Sequence, residues 1–370
     1  MKRLVATLAT LILLSPCVRA QEKLDTKLAT VEKDVLWYDV KHLNLEGKAW
    51  TDTKAYYDRL PAKAEGVVRD PVWSLSRHSA GLCVRFVTDA SSIQARWTLT
   101  SPKLAMPHMA ATGVSGLDLY VKTDKGWRWL GVGQPKEQTN TATLAAGIPA
   151  GTREYMVYLP LYNGVSSVEI GIAKNAFLAK GPAYSKDHKP IVFYGTSITQ
   201  GGCASRTGMV HTAILGRRLG YPVVNLGFSG NGRMEPEVVT LMAEIDASVY
   251  VIDCLPNMTA KDVAANTEPL VRLLKSKKPG TPILLVEDRN YDNAHLLPGP
   301  KQRNQASQAA LKAAYNQLMK DGVKGVYYLP GADLLGDDNE GTVDASHPTD
   351  LGFLRQADAF EKALRPILKR

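Results

Sequence analysis

Residues 191–202 read IVFYGTSITQGG. An apolar run ends in a glycine, two hydroxyl residues and more glycines. Such a junction is either an ordinary strand-to-helix turn with Ser197 as the helix cap, or a turn that presents Ser197 for chemistry. The surroundings bear on the choice. From residue 191 onward, short apolar runs (IVFYG, PVVNLGFSG, SVYVIDCLP, PILLVED, VYYLP) alternate with helical patterns at about 206–219, 235–246, 259–278, 302–321 and 350–369. Strand and helix in alternation predict a parallel sheet with helices on both faces. Ligands in such folds bind at the carboxyl ends of the strands.

The residues just beyond each strand are therefore informative. After the first comes Gly195-Thr196-Ser197, after the second NLGFSGNG (225–232), after the third DCLPNMT (253–259). Before the last helix stands DASHPTD (344–350). These are the parts of an acyl-transfer site. A serine hydroxyl needs a base to take its proton, and His347 is the candidate base. Asp344, three residues earlier, can reach the near ring nitrogen and leave the far one for Ser197. The oxyanion formed on attack needs preorganised donors. The candidates are the backbone N–H of Ser197, that of Gly230 and the side-chain amide of Asn257. With His347 and Asp344 present in order, the nucleophile reading of Ser197 outweighs the capping one.

These blocks resemble those of the SGNH (GDSL-type) hydrolases. GTSIT resembles the block with the serine and FSGNG the block with the glycine. CLPN sits where the family carries its asparagine, and DASH resembles its Asp-x-x-His. GLDLY (116–120) resembles the Gly-x-Asp-Leu-Tyr motif of a β-domain that precedes one subgroup. Two positions depart from the pattern. Thr196 replaces the usual aspartate before the serine, and no aspartate follows Asn257. The resemblance implies a flavodoxin-like three-layer α/β/α domain after an N-terminal all-β jelly-roll or sandwich domain. It also implies a serine esterase that removes O-acetyl groups from carbohydrates. A lysophospholipase-like or thioesterase-like enzyme is the alternative, and a glycan-binding protein with an inactive hydrolase domain a more distant one.

The preceding half fits that architecture. Residues 31–180 contain runs rich in β-branched and aromatic residues, among them GLCVRFVTD, SIQARWTLT, GLDLYVKTD, GWRWLGVG, REYMVYLPLY and VSSVEIGIA. They recur at roughly ten-residue spacing, as in an antiparallel sandwich. Val84 and Phe86 alternate with Arg85, as along a half-buried strand. KGPAYSKDHKP (180–190) reads as a linker. Lys2 and Arg3, an apolar run and a VRA site read as a secretory signal peptide. The expected division is therefore 1–20 signal peptide, 21–180 β-domain and 181–370 hydrolase domain, with a periplasmic or extracellular product. Lipoprotein anchoring at Cys17 is disfavoured by Pro16.

Composition limits the partners. Hydrophobic residues make up 45% and charged ones 22%, which places the chain among globular proteins. Removing residues 1–20 takes away Lys2, Arg3 and Arg19 and no acid, and brings the net charge from +9 to +6. No dense Lys/Arg cluster points to nucleic acid, and no later stretch is apolar enough to span a membrane. With no HExxH, CxxC pair or clustered His/Asp set, no metal or cofactor is expected. Oligomeric state is not encoded in any pattern here. Cys203 and Cys254 lie close to the motifs and could pair.

Further residues stand after the strands. Glu287, Asp288 and Arg289 either hold the pocket wall or contact a polar substrate. His295 is a loop candidate for substrate contact. Asp253 reads as a structural acid beneath the site, and His211 as structural. Asp118 and Tyr120 of GLDLY are read as domain packing, and Trp127 and Trp129, two apart on one strand, as core.

Overall fold

The computed structural model describes residues 22–369. The signal-peptide and Cys17 readings lie outside these residues. The first half is built from two antiparallel sheets. One runs, edge to edge, Ala29–Glu32, Val35–Asp39, Val165–Ala173, Ser92–Leu99 and Thr139–Ala146. The other runs Leu178–Lys180, Cys83–Thr88, Arg153–Tyr158, Leu117–Thr123 and Gly126–Gly133, with Asn44–Glu46 also paired to Cys83–Thr88. Along Ser92–Leu99 burial alternates strictly, and Ile93, Ala95, Trp97 and Leu99 enter the core between the sheets.

The second sheet is covered on both faces. Val84, Phe86, Leu117, Leu119, Tyr155 and Val157 face the sandwich core, while Cys83, Tyr120, Met156 and Tyr158 join a core shared with the second half. The half-buried pattern around Arg85 predicts that it meets solvent. It is buried instead, and paired with Glu46 and Glu154.

The second half is a five-stranded parallel sheet in the order Val223–Gly227, Ile191–Gly195, Val249–Asp253, Ile283–Val286, Val326–Leu329. The strands are near-continuous apolar runs because both faces are covered. Val192, Tyr194, Tyr250 and Ile252 pack on the side of helices Pro236–Met242, Ala260–Lys277 and Pro298–Lys320. Phe193, Val249 and Val251 pack on the side of His211–Leu219 and Asp350–Leu368. The chain order reverses at the first strand, which lies between the second and the third. Such a switch point opens a crevice beyond the strand ends.

One segment crosses from the first half to the second. Trp50, Leu60, Ala64, Val68 and Val72 join the core beneath the parallel sheet. Arg59, 2% exposed, donates to the carbonyls of Leu75, His78, Asn225 and Gly227. Burial without a carboxylate partner pulls its guanidinium down to about 9.

Candidate active site

The first strand delivers Ser197 onto a single helical turn, Ser197–Gln200. Thr196 caps it by accepting the Ile198 N–H at 3.3 Å, and Gly201, at φ +116°, ends it. The turn sits directly on the strand ends. A Cβ on Gly195 would lie 2.1 Å from Thr199 Oγ1, and one on Gly227 would lie 2.1 Å from the Gln200 nitrogen. Only glycine at these positions lets the helix settle there.

The loop before the last helix brings the other groups. Val343 N donates to His347 O at 2.8 Å, and Ala345 takes φ +74° at the tip. Asp344 Oδ1 accepts the backbone N–H groups of Ser346 (3.1 Å) and His347 (2.8 Å). Asp344 Oδ2 lies 2.8 Å from His347 Nδ1, and His347 Nε2 lies 2.8 Å from Ser197 Oγ. Burial pushes the Asp344 carboxyl upward, but the donors of His347 and Ser346 outweigh it and hold the group below its ordinary range. A charged carboxylate thus faces one side of the imidazole and a 7% exposed hydroxyl the other. This chain can move the serine proton to the ring and stabilise the resulting imidazolium.

Further donors stand at the ends of the first strand and of the two that flank it. The Ser197 N–H opens the helix and has no partner within it. The turn after the second strand is closed by Asn231 N on Phe228 O at 2.9 Å, with Gly230 at φ +66°. The Gly230 N–H takes no partner among the described residues. Gln200, fully buried, accepts the Ser229 N–H at 3.0 Å and so ties this turn to the serine helix. Asn257 ends the short turn Leu255–Asn257, and its amide donates to Asn231 O. The sequence thus brings Ser197, Gly230, Asn257, Asp344 and His347 to one sheet edge. Cys203 and Cys254 are both free and buried, so no disulfide joins them.

The substrate-contact candidates fare differently. Arg289 is fully buried and gives Asp253 two contacts, 3.0 and 3.2 Å. Thr199 also donates to Asp253, and Arg303 joins Asp288 (2.8 Å) to Pro256 O (2.7 Å). Arg289 therefore belongs to an ionic layer beneath the serine helix and the Asn257 turn, out of a substrate's reach. Burial pushes the Asp253 and Asp288 carboxyls upward against these arginines. Glu287 accepts from the Tyr328 hydroxyl and from Gly331 N (2.8 Å). His295 is exposed and its ring meets its own loop at Asp292 O (2.9 Å). None of the three touches Ser197 or His347. For Glu287 and Arg289 the position after a strand was a real signal, but their side chains turn into the wall, while His295 stays on the exposed loop.

Two residues of the first half reach the site without any sequence signal. The Tyr162 hydroxyl donates to Ser197 O at 3.0 Å. The exposed His108 ring lies 5.9 Å, centroid to centroid, from that of His347. Its loop is pinned by buried Asn163, which bonds Ser101 and Ser115, and by mutual bonds between Met106 and Met109. Trp129, read as core, is 48% exposed and donates to Asp118. Asp118 in turn holds Arg206 Nη1 (2.7 Å) and Gly208 N (2.9 Å), which joins GLDLY to the loop after the serine helix.

Residues 188–365 match the model of the GDSL-like lipase/acylhydrolase family, and residues 35–178 match that of the N-terminus of SGNH-hydrolase-type esterases. A solved structure from Bacteroides ovatus ATCC 8483, described as a GDSL-like lipase, is 36% identical, with a TM-score of 0.86 over 90% of this chain and 98% of that one. The chain belongs to the GDSL-like hydrolases. Its architecture of antiparallel sheets followed by a parallel sheet is that of SGNH esterases, and it is a carboxylic ester hydrolase by family. More remote likenesses show this GDSL-type fold alone. A salicylyl-acyltransferase from a tetracycline biosynthetic pathway is 18% identical, with a TM-score of 0.69 over 94% of this chain and 98% of that one. A family two carbohydrate esterase from Clostridium thermocellum, solved with cellohexaose, is 13% identical, with a TM-score of 0.59 over 78% and 93%. No curated protein matches the chain. Among the described residues no helix of this GDSL hydrolase is long and apolar enough to cross a membrane.

Proposed function

We propose that this protein is an exported serine esterase that removes O-acetyl groups from carbohydrates. The observation that carries the catalytic part is the unbroken chain Ser197 Oγ, His347 Nε2, His347 Nδ1, Asp344 Oδ2, with both links at 2.8 Å. The Ser197 hydroxyl attacks the ester carbonyl while its proton passes to His347 Nε2. The oxyanion is met by the N–H groups of Ser197 and Gly230 and by the Asn257 amide, which leaves Asn231 O to do so. The C–O bond to the sugar breaks and the sugar oxygen takes the proton from His347. Water, deprotonated by the same nitrogen, then hydrolyses the acetyl-serine and regenerates the hydroxyl.

The carbohydrate part is supported by the fold shared with family two carbohydrate esterases, one of them solved with cellohexaose. Export is supported by the leader-like residues 1–20 and would place the enzyme in the periplasm or outside the cell. The test compares p-nitrophenyl acetate, butyrate and octanoate, together with acetate release from acetylated xylan. Acetate preference and release from the polysaccharide are expected. Octanoate preference without release would move the substrate to lipid esters.

A further inference from the structure

Between the two halves, away from Ser197, lies a cavity of about 500 Å³ whose wall is cationic. Lys125 and Arg128 come from the hairpin of the first half, Arg206, Arg217 and Arg218 from the loop and helix after the serine, and Arg365 from the last helix. Three carboxylates answer these six cations. Asp118 holds Arg206 (2.7 Å), Asp358 holds Arg218 (2.6 Å), and Glu361 is shared by Arg218 and Arg365. Lys125, Arg128 and Arg217 have no ion pair among the described residues. Arg217 is the half-buried one of these three, and Lys125 and Arg128 are exposed. Arg217 Nη2 donates to Gly208 O at 2.8 Å, and its guanidinium lies 4.0 Å from the ring of Tyr120 and 5.3 Å from that of Tyr158. An arginine that lines the cavity without an acid of its own is complemented by a carboxylate entering it. The wall also holds aromatic surface, Tyr120 under the Arg217 guanidinium at 4.0 Å and half-buried Trp127 beside Arg128.

We propose that this cavity binds a carboxylate-bearing sugar, a uronic acid residue of an acidic polysaccharide, with Arg217 on the carboxylate and Trp127 against the ring. The anion follows from the cation excess alone; the sugar rests on the carbohydrate reading above. A chain held here would run along the last helix, which begins three residues after His347. The cavity is then an accessory subsite that selects acidic polymers for the esterase centre.

Binding is measured calorimetrically on the Ser197→Ala protein, so that turnover does not enter and a failed esterase reading leaves the result interpretable. The probes are a xylo-oligosaccharide with one glucuronic acid branch, the neutral oligosaccharide of the same length, and inorganic sulfate. The acidic sugar should bind about tenfold or more tighter than the neutral one, and more weakly as salt is raised. Adding Arg217→Met, which keeps the aliphatic packing on Tyr120, should abolish that preference. The exposed pair Lys125→Ala/Arg128→Ala should weaken it in a protein of unchanged Tm. Equal binding of acidic and neutral sugars, or a preference that survives both sets of substitutions, would overturn the proposal. Sulfate binding as tightly as the acidic sugar would overturn its sugar part.

Discussion

Asp344→Asn is the substitution whose outcome the geometry fixes most tightly. Oδ1 of Asp344 accepts two backbone N–H groups, at 3.1 and 2.8 Å, and Oδ2 faces His347 Nδ1 at 2.8 Å. An asparagine must keep its oxygen on the two backbone donors, because turning the amide over would set NH₂ against N–H. Its NH₂ then points at Nδ1 and donates to it. The ring proton is driven onto Nε2, the nitrogen that has to accept from Ser197. With the wrong tautomer, kcat should drop by about 10⁴-fold, a barrier increase of about 5 kcal/mol. Asp344→Ala should be milder. The Asp344 side chain is 43% exposed, so water can fill the gap and accept from Nδ1. The assay is the initial rate on p-nitrophenyl acetate at saturating substrate, with circular dichroism to establish folding. An asparagine variant within about tenfold of wild type, or one more active than the alanine variant, would refute the reasoning.

Three further outcomes rest on the same geometry. Asn257→Ala should lower kcat by about 10²- to 10³-fold with little change in KM, the signature of a donor that acts on the transition state; steady-state kinetics decide. His108→Ala should leave p-nitrophenyl acetate hydrolysis intact but lower kcat/KM on acetylated xylan roughly 3- to 10-fold, the worth of one hydrogen bond to the sugar; equal loss on both substrates would refute a role in substrate contact. Burial, with Arg289 near, pulls His211 down to about 3, and burial with Arg59 near pulls His78 down to about 4. Both folded values lie below the unfolded one of about 6.5, so their stabilisation is present above that pH and is lost as pH falls toward 3. For His211 alone the loss at pH 4.5 is about 3 kcal/mol. Denaturant titrations from pH 7 to 4.5 should show the decline, and His211→Phe, which removes two buried ring nitrogens that lack partners, should flatten it.

The sequence was most legible where chemistry and local geometry coincide. Ser197, Gly230, Asn257, Asp344 and His347 each stand just beyond a strand or before a helix, and the parallel order brings those ends together. The five parallel strands were readable because burial on both faces makes them continuous apolar runs. Thr139–Ala146 was not, because only Asn140 and Leu144 are buried along it and the rest is Thr and Ala at a sheet edge. Arg59 could not be read either. Its four acceptors are carbonyls, which no side-chain pattern reveals. Arg289 looked like a substrate contact because it comes after a strand, yet Asp253 pairs with it inside the wall. His108 and Tyr162 reach Ser197 and His347 only through the packing of one half on the other.

The central claim is that Ser197 is the nucleophile of a hydrolytic site. Its most direct test is the rate of p-nitrophenyl acetate hydrolysis by the wild-type protein beside Ser197→Ala, each folded by circular dichroism. Clear turnover by the wild type and a loss of at least about 10³-fold in the variant are expected. Comparable rates in the two proteins would contradict it.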